Sequence, residues 1–308
     1  NATSDSTAIG YLALNVNTNS NNTSIGSSAL QNNTTAIGST AVGYAALNQN
    51  NGDGNTALGD AVLSTNGAGM RNSALGSSAL YFNDTGDDNT AIGHQALYTN
   101  NTGTTNTAIG IYALSSNADW YDNVAIGYNA ASQTGSAAEN VAVGTAALYS
   151  LTDAGAWDNV AVGYEAFTAL TGPNSNVVGV GYHAGYQNTG GSNVAVGALS
   201  LAASNSVSNC TAIGASALTG GTGTRNTAVG ASALAANTGG NATAVGYNAL
   251  LVATGAQNTA VGSQALLANT SGTPNTAVGY MALKTNISSA NNVAVGDYAL
   301  SLTTSAGN

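Results

Sequence analysis

A glycine returns every 16 to 19 residues along the whole chain, and this constrains the fold more than any other feature. The series is Gly10, Gly26, Gly43, Gly59, Gly76, Gly93, Gly110, Gly127, Gly144, Gly163, Gly181, Gly197, Gly214, Gly230, Gly246, Gly262, Gly279 and Gly296, eighteen copies in all. Each closes a run such as Thr-Ala-Ile-Gly or Val-Ala-Val-Gly. A period of this length marks a stacked repeat architecture, in which one unit cannot bury a core and its neighbours must supply it. In Val177-Val178-Gly179-Val180-Gly181 either glycine can serve as the anchor. No shift in composition interrupts the series, so residues 1–308 read as a single repeat domain.

The unit is Asn-[Thr/Val]-Ala-[Ile/Val]-Gly-x-x-Ala-Leu-x-x-Asn-Thr-x-Gly, as in Asn106-Thr107-Ala108-Ile109-Gly110. Alternating larger and smaller residues before the anchor are a strand signal, and Gly with Asn at the boundaries is a turn signal. Helix is excluded by the recurring glycine and by the lack of a sustained apolar stripe at 3.6 spacing. The fold expected is all-β: a β-solenoid, or parallel β-roll, of about 18 coils of 16–19 residues. Positions are counted below from the anchor as zero, and coils are numbered by their anchors.

Position −1 is always Ile, Val or Leu, and +4 is Leu in 15 of 18 coils. Large apolar residues belong inside, which predicts an inward ladder made of Ile9, Ile92, Ile109, Ile126 and Val143 with Leu97, Leu114 and Leu234. Strand periodicity then puts −3 inward too, where Thr and Val are nearly isosteric. A threonine ladder on a flat solenoid face would suit ice binding, but only if it meets water, and this parity argues against that. Position −2, by the same parity outward, is Ala in 16 of 18 coils. An outward position held to one methyl implies close packing on another surface, so Ala91, Ala108, Ala125 and Ala142 are expected to pack identical chains together around an axis. Asn at −4 in 13 of 18 coils, and a second Asn at +7, predict stacked amide ladders, with glycan contact by exposed amides as the alternative.

Charge narrows the function. The chain has three bases, Arg71, Arg225 and Lys284, against thirteen acids, which leaves no footprint for nucleic acid. No run approaches the roughly 20 apolar residues of a membrane-spanning helix, so no membrane insertion is expected. A single cysteine, Cys210, and two histidines, His94 and His183, support neither a disulfide nor a metal centre, and no cofactor is expected. No nucleophile elbow accompanies either histidine, so the chain reads as non-enzymatic. Asp84, Asp87 and Asp88 form an acidic cluster without the nonapeptide of calcium-binding rolls. Aromatic residues gather at Trp120, Tyr121 and Trp157, flanked by acids, and at Tyr81 and Phe82; placed on one side of the solenoid, these rings are the candidate glycan contacts.

The unit resembles the Asn-Ser-Val-Ala-Ile-Gly head repeat of the trimeric autotransporter adhesins, the YadA-like heads, which bacteriophage tail fibres also use. The Ala-Ile-Gly core falls on Ala108, Ile109 and Gly110 and their equivalents, and the likeness covers essentially the whole chain. It implies a left-handed parallel β-roll, three chains about one axis, and binding to host or matrix surfaces. The longer second turn departs from that family, and neither a heptad stalk nor an outer-membrane barrel follows. The first anchor comes after nine residues and the last coil keeps register to Leu300 without a capping segment, which implies a fibre segment or end-to-end pairing into filaments. The expectation is an extracellular, cell-surface or virion-surface structural and adhesive fibre. Its partners are copies of itself and surface glycans. A tail-fibre or adhesin head segment that binds glycans, and an ice-binding solenoid, stand as alternatives.

Overall fold

The computed structural model describes residues 5–134, 137–151, 156–170 and 176–302. Two compact units, residues 1–158 and 159–308, are built on one plan. In each, nine strands of three or four residues end just before the anchor glycines, from Thr7–Ile9 to Val141–Val143 and from Val160–Val162 to Asn292–Val295. They pair parallel and in strict register: Thr7 lies beside Thr23, Ala8 beside Ser24, Ile9 beside Ile25. The same holds in the second unit, where Thr211, Ala212 and Ile213 lie beside Thr227, Ala228 and Val229. The chain is therefore a parallel β-solenoid, and among the described residues it has no helix. Gly181 is the anchor of its coil, since Gly179 pairs with Ala161 and so takes the −2 place.

After each anchor the backbone turns through residues in the left-handed region at +2 and +4, for example Ser28 at φ 58° and Leu30 at φ 46°. Leucine resists this region, at roughly 1–2 kcal/mol per residue. Bonds between coils offset the cost. Leu30 N–H donates to Ala46 O at 3.0 Å, and Ser28 N–H donates back to Tyr11 O at 2.8 Å. The leucine side chain is meanwhile driven into the interior, where it is fully buried. The anchor sits near φ +135°, a region open only to glycine, and a Cβ on Gly26 would lie 2.3 Å from Gly43 O in the next coil.

The interior corrects the parity expected above. Ala91, Ala108, Ala125 and Ala142 are fully buried within their own chain and cannot pack against another. Conversely, Ile9, Ile92 and Ile126 are exposed, and Ile109 and Val143 half-exposed, so these five do not form a core ladder. Leu97, Leu114 and Leu234 do point inward, with no exposed surface. The reason is thickness. With Leu at +4 and a small residue at +3 already inside, only a methyl fits opposite, so the strand turns Ala inward and sends its larger neighbours out.

One place shows this directly. Coil 10 carries Phe167 where other coils carry Leu, and the next coil has Gly179 at −2 and Gly185 at +4. A Cβ on either glycine would lie 2.5 Å from the Phe167 ring. Positions −2 and +4 thus share one interior.

The rest of the interior is polar. In the first unit Asn83 Nδ2 donates to Asn66 Oδ1 at 2.7 Å and to Gly86 O at 2.9 Å, and Asn100 Nδ2 donates to Asn83 Oδ1 at 2.8 Å. The −4 amides run alongside: Asn72 Nδ2 donates to the same Gly86 O at 2.8 Å, while Asn89 N–H donates to Asn72 Oδ1 at 3.0 Å. Each amide satisfies its neighbour, which is what lets such groups stay buried.

Candidate functional site

The inverted parity gives the molecule an outward face made of the −3 and −1 columns. Seven successive coils present Thr or Ser at −3, from Thr7 to Thr107, and five more run from Thr211 to Thr276. Beside them run Ile, Val and Leu at −1, with Ile25, Ile92 and Ile126 each 38% exposed. The face carries no charge. Among the described residues these −3 hydroxyls hold no hydrogen bond to protein, so the threonines stand on the surface and not as a bonded stack inside. Within each unit the two columns form an uncharged, partly apolar strip.

A second feature follows from the turn after the anchor, which throws +1 side chains into solvent. Tyr11, Tyr44, Tyr128, Tyr164, Tyr182 and Tyr247 are all exposed there. Only coils 10 and 11 place two tyrosines at +1 in succession, and the Tyr164 and Tyr182 rings stack at 5.6 Å and 14°. His183, at +2, stacks on Tyr182 at 3.9 Å and on Tyr186 at 4.5 Å. Its Nε2 lies 2.9 Å from Glu165 Oε2, without the alignment of a good hydrogen bond. The Glu165 carboxylate also accepts from Tyr164 and raises its phenol pKa. The sequence holds a cue to the pairing with His183: Glu165 occupies the same +2 position one coil earlier.

The candidate glycan-contact rings divide by position. Tyr81 and Phe82 stand at +5 and +6, packed edge to face at 4.6 Å, and Tyr98 from the next coil stacks on Tyr81 at 5.5 Å. Trp120 occupies −7, a place held by glycine in the preceding coils, and its carbonyl accepts from Asn106 Nδ2 at 2.7 Å. Tyr121 and Trp157 share −6, both exposed. Trp120 and Trp157 are therefore one residue out of phase. Tyr81 and Phe82 sit on the turn that follows the core leucine, away in register from the turn that precedes the −4 asparagine.

Charge is concentrated at −5 and −6, where residues such as Asp53, Arg71, Asp88, Asp122 and Glu139 form an exposed corner. Arg71 binds Asp88 through two bonds of 2.7 and 2.8 Å and reaches Asp87 at 3.3 Å. The hydrogen bond from Arg71 holds the Asp88 carboxyl below its ordinary pKa. Glu139 is pushed upward, first by a side-chain hydrogen bond with Asp158, then by desolvation and by the charges of Asp158 and Asp122. Asp87 and Asp88 of the acidic cluster are thus bound into this ladder through Arg71. Among the described residues no group of three or more His, Cys, Asp or Glu side chains could hold a metal ion. Among the described residues no helix is long and apolar enough to cross a membrane. Cys210 stands at −4 in place of Asn, buried, and desolvation raises its thiol pKa. The −4 and +7 amides are consumed inside the coil, which removes them as glycan contacts.

No protein-family model matches the chain, and no curated protein matches it.

Proposed function

We propose that the chain is a non-enzymatic fibre protein of the cell or virion surface, in which identical chains associate through the −3/−1 face and leave the aromatic turns free for surface glycans. The carrying observation is the uncharged outward file of β-branched residues, repeated in register coil after coil. Fully burying a Val or Ile is worth about 1.5–3 kcal/mol, and these are already more than half covered, which leaves about 1 kcal/mol per coil. Association costs about 4–15 kcal/mol in lost freedom, so only a long ladder overcomes it. That requirement suits a fibre. The resemblance to adhesin heads points the same way and supplies the expectation of three chains.

The test is mass in solution. Ile109→Glu with Ile126→Glu places charge on the face without touching the interior and is expected to reduce an assembled species to single chains by light scattering, with the circular dichroism spectrum kept. Wild type that is already monomeric at micromolar concentration would remove the reading.

A second reading has its own observation: the outward threonine hydroxyls, unengaged by protein and spaced by the coil repeat of about 4.8 Å, could order water as ice does. The same mass measurement separates the two. A monomer that shapes growing ice crystals and holds their growth below the melting point would favour ice binding over assembly.

A further inference from the structure

A face that repeats every coil has a register problem. Two copies laid together gain nearly the same contacts at zero offset as when slipped by one coil, as strands with repeating faces are prone to do. Something non-repeating has to select one alignment. The −1 column is Ile or Val at every coil except coils 4 and 5, where it is Leu58 and Leu75. The −3 column is Thr or Val at every coil except coil 5, where it is Ser73. These three exceptions are neighbours. Together they open a hollow of about 220 Å³ in the face, lined by Thr56, Leu58, Ser73, Ala74, Leu75 and Ile92. Its floor is Ala74, which is 4% exposed where the −2 alanines of the flanking coils are fully covered. Leu58 and Leu75 stand on its rim, exposed by 46% and 43%.

We infer that this hollow is a registration socket for a second copy of the chain: the longer leucines of one copy enter the space left by Ser73 in the other, and both hollows are filled only at zero offset. The inference rests on the proposed association through this face. The occupant follows from the lining. It is apolar, with the small Ser73 hydroxyl on its wall, and each copy carries both projections and recess on the same coils. Two copies side by side at equal height present leucine to recess reciprocally, the self-complementarity that a closed symmetric contact requires. Slipped by one coil, Leu58 of one copy would still meet the recess of the other, but Leu75 of that first copy would face the Thr90–Ile92 strand, and its own hollow would receive no leucine.

The experiment reads register by disulfide formation in the full-length chain with Cys210→Asn as background. Chains bearing Ile109→Cys and a mass tag at one terminus are co-expressed with untagged chains bearing Ile126→Cys and oxidised, and the products are separated by mass. Like-with-like bonds report zero offset, and unlike bonds report a slip of one coil. With the socket intact, like bonds should exceed unlike bonds by at least about tenfold. In the triple variant Leu58→Ile, Ser73→Thr, Leu75→Ile, which gives coils 4 and 5 the residues of their neighbours and so keeps the fold, that ratio should fall toward one. An unchanged ratio overturns the socket while leaving association intact. Assembled chains that form neither bond take the −1 column out of the interface, and the socket with it. A single-chain mass in light scattering overturns both, and binding of a small apolar dye to such a monomer, abolished in the triple variant, would assign the hollow to a free ligand instead.

Discussion

Two stretches of the solenoid fill the same interior in opposite ways. From Asn50 to Asn117 five successive coils place an amide at +7, each bonded to the one before it. In the second unit, coil 10 has Leu170 at that place and Phe167 at +4, and coil 11 puts the apolar Val177 at −4. The backbone does not change: Phe167 N–H still donates to Ala184 O at 2.9 Å and Gly185 N–H to Ser200 O at 2.8 Å. The coil-to-coil ladder therefore tolerates either filling. What it does not tolerate is mismatch between one coil and the next. An amide asks for an amide, and a phenyl ring asks for glycine.

The largest break in this comparison should come from Gly185→Leu, the residue most coils carry at +4. The left-handed backbone there already suits the leucines elsewhere, so the penalty is overlap with the Phe167 ring, about 3 kcal/mol or more. Phe167→Leu in the same chain should return most of it, and chemical denaturation of the single and double variants measures the coupling. If the double variant is no more stable than Gly185→Leu alone, the two coils are not packed as described.

That pairing also marks what was legible in the sequence. The period, the parallel stacking and the leucine column follow from the spacing of Gly and Leu alone. Which strand face points inward does not, because alternation identifies two faces without ranking them, and side-chain size ranks them wrongly in a coil too thin for two large residues. The deciding signal was present in Phe167, Gly179 and Gly185: where +4 grows, −2 in the next coil shrinks, which two residues on opposite sides of a strand would have no reason to do. The outward −3/−1 face was hidden by the same inversion. The Tyr164, Glu165, Tyr182, His183 and Tyr186 cluster was hidden for another reason, since it depends on turn side chains of successive coils meeting in space.

A smaller loss is expected on the polar side. Asn83→Leu removes the donor to Asn66 Oδ1 and the acceptor of Asn100 Nδ2, leaving a buried carbonyl oxygen unpaired, at about 2–4 kcal/mol. Such an end already exists: Asn117 Oδ1 is buried without a partner where the column stops. Thermal unfolding of Asn83→Leu beside Asn117→Leu should show the inner position costing more. Equal costs would mean that the ladder adds nothing beyond its separate bonds.

The smallest effect lies at the charged corner. Glu139 titrates above its unfolded value, so the folded state holds the extra proton, and its contribution declines as pH rises through the window from about 4.5 to its raised folded value. Asp88 has the opposite sign, contributing above its unfolded value and losing that contribution as pH falls through its lowered folded value. Both are solvent-exposed, so the pH dependence of the melting temperature should be shallow, and salt should flatten it. Glu139→Gln should remove the decline above pH 4.5 and leave the acid limb unchanged. A steep profile that survives this substitution would point to groups elsewhere.

The anchor glycines carry a consequence for how such a chain can change over generations. Each sits at a backbone angle closed to other residues, and within each unit all but the last face the backbone of the next anchor, so almost any point substitution there strains two coils at once. Duplicating or deleting a whole unit breaks no such contact, because the new neighbours meet through the same glycines. Length in this molecule is thus inherited in whole coils, and a gene of this kind should vary far more readily in copy number than in the letters of its repeat.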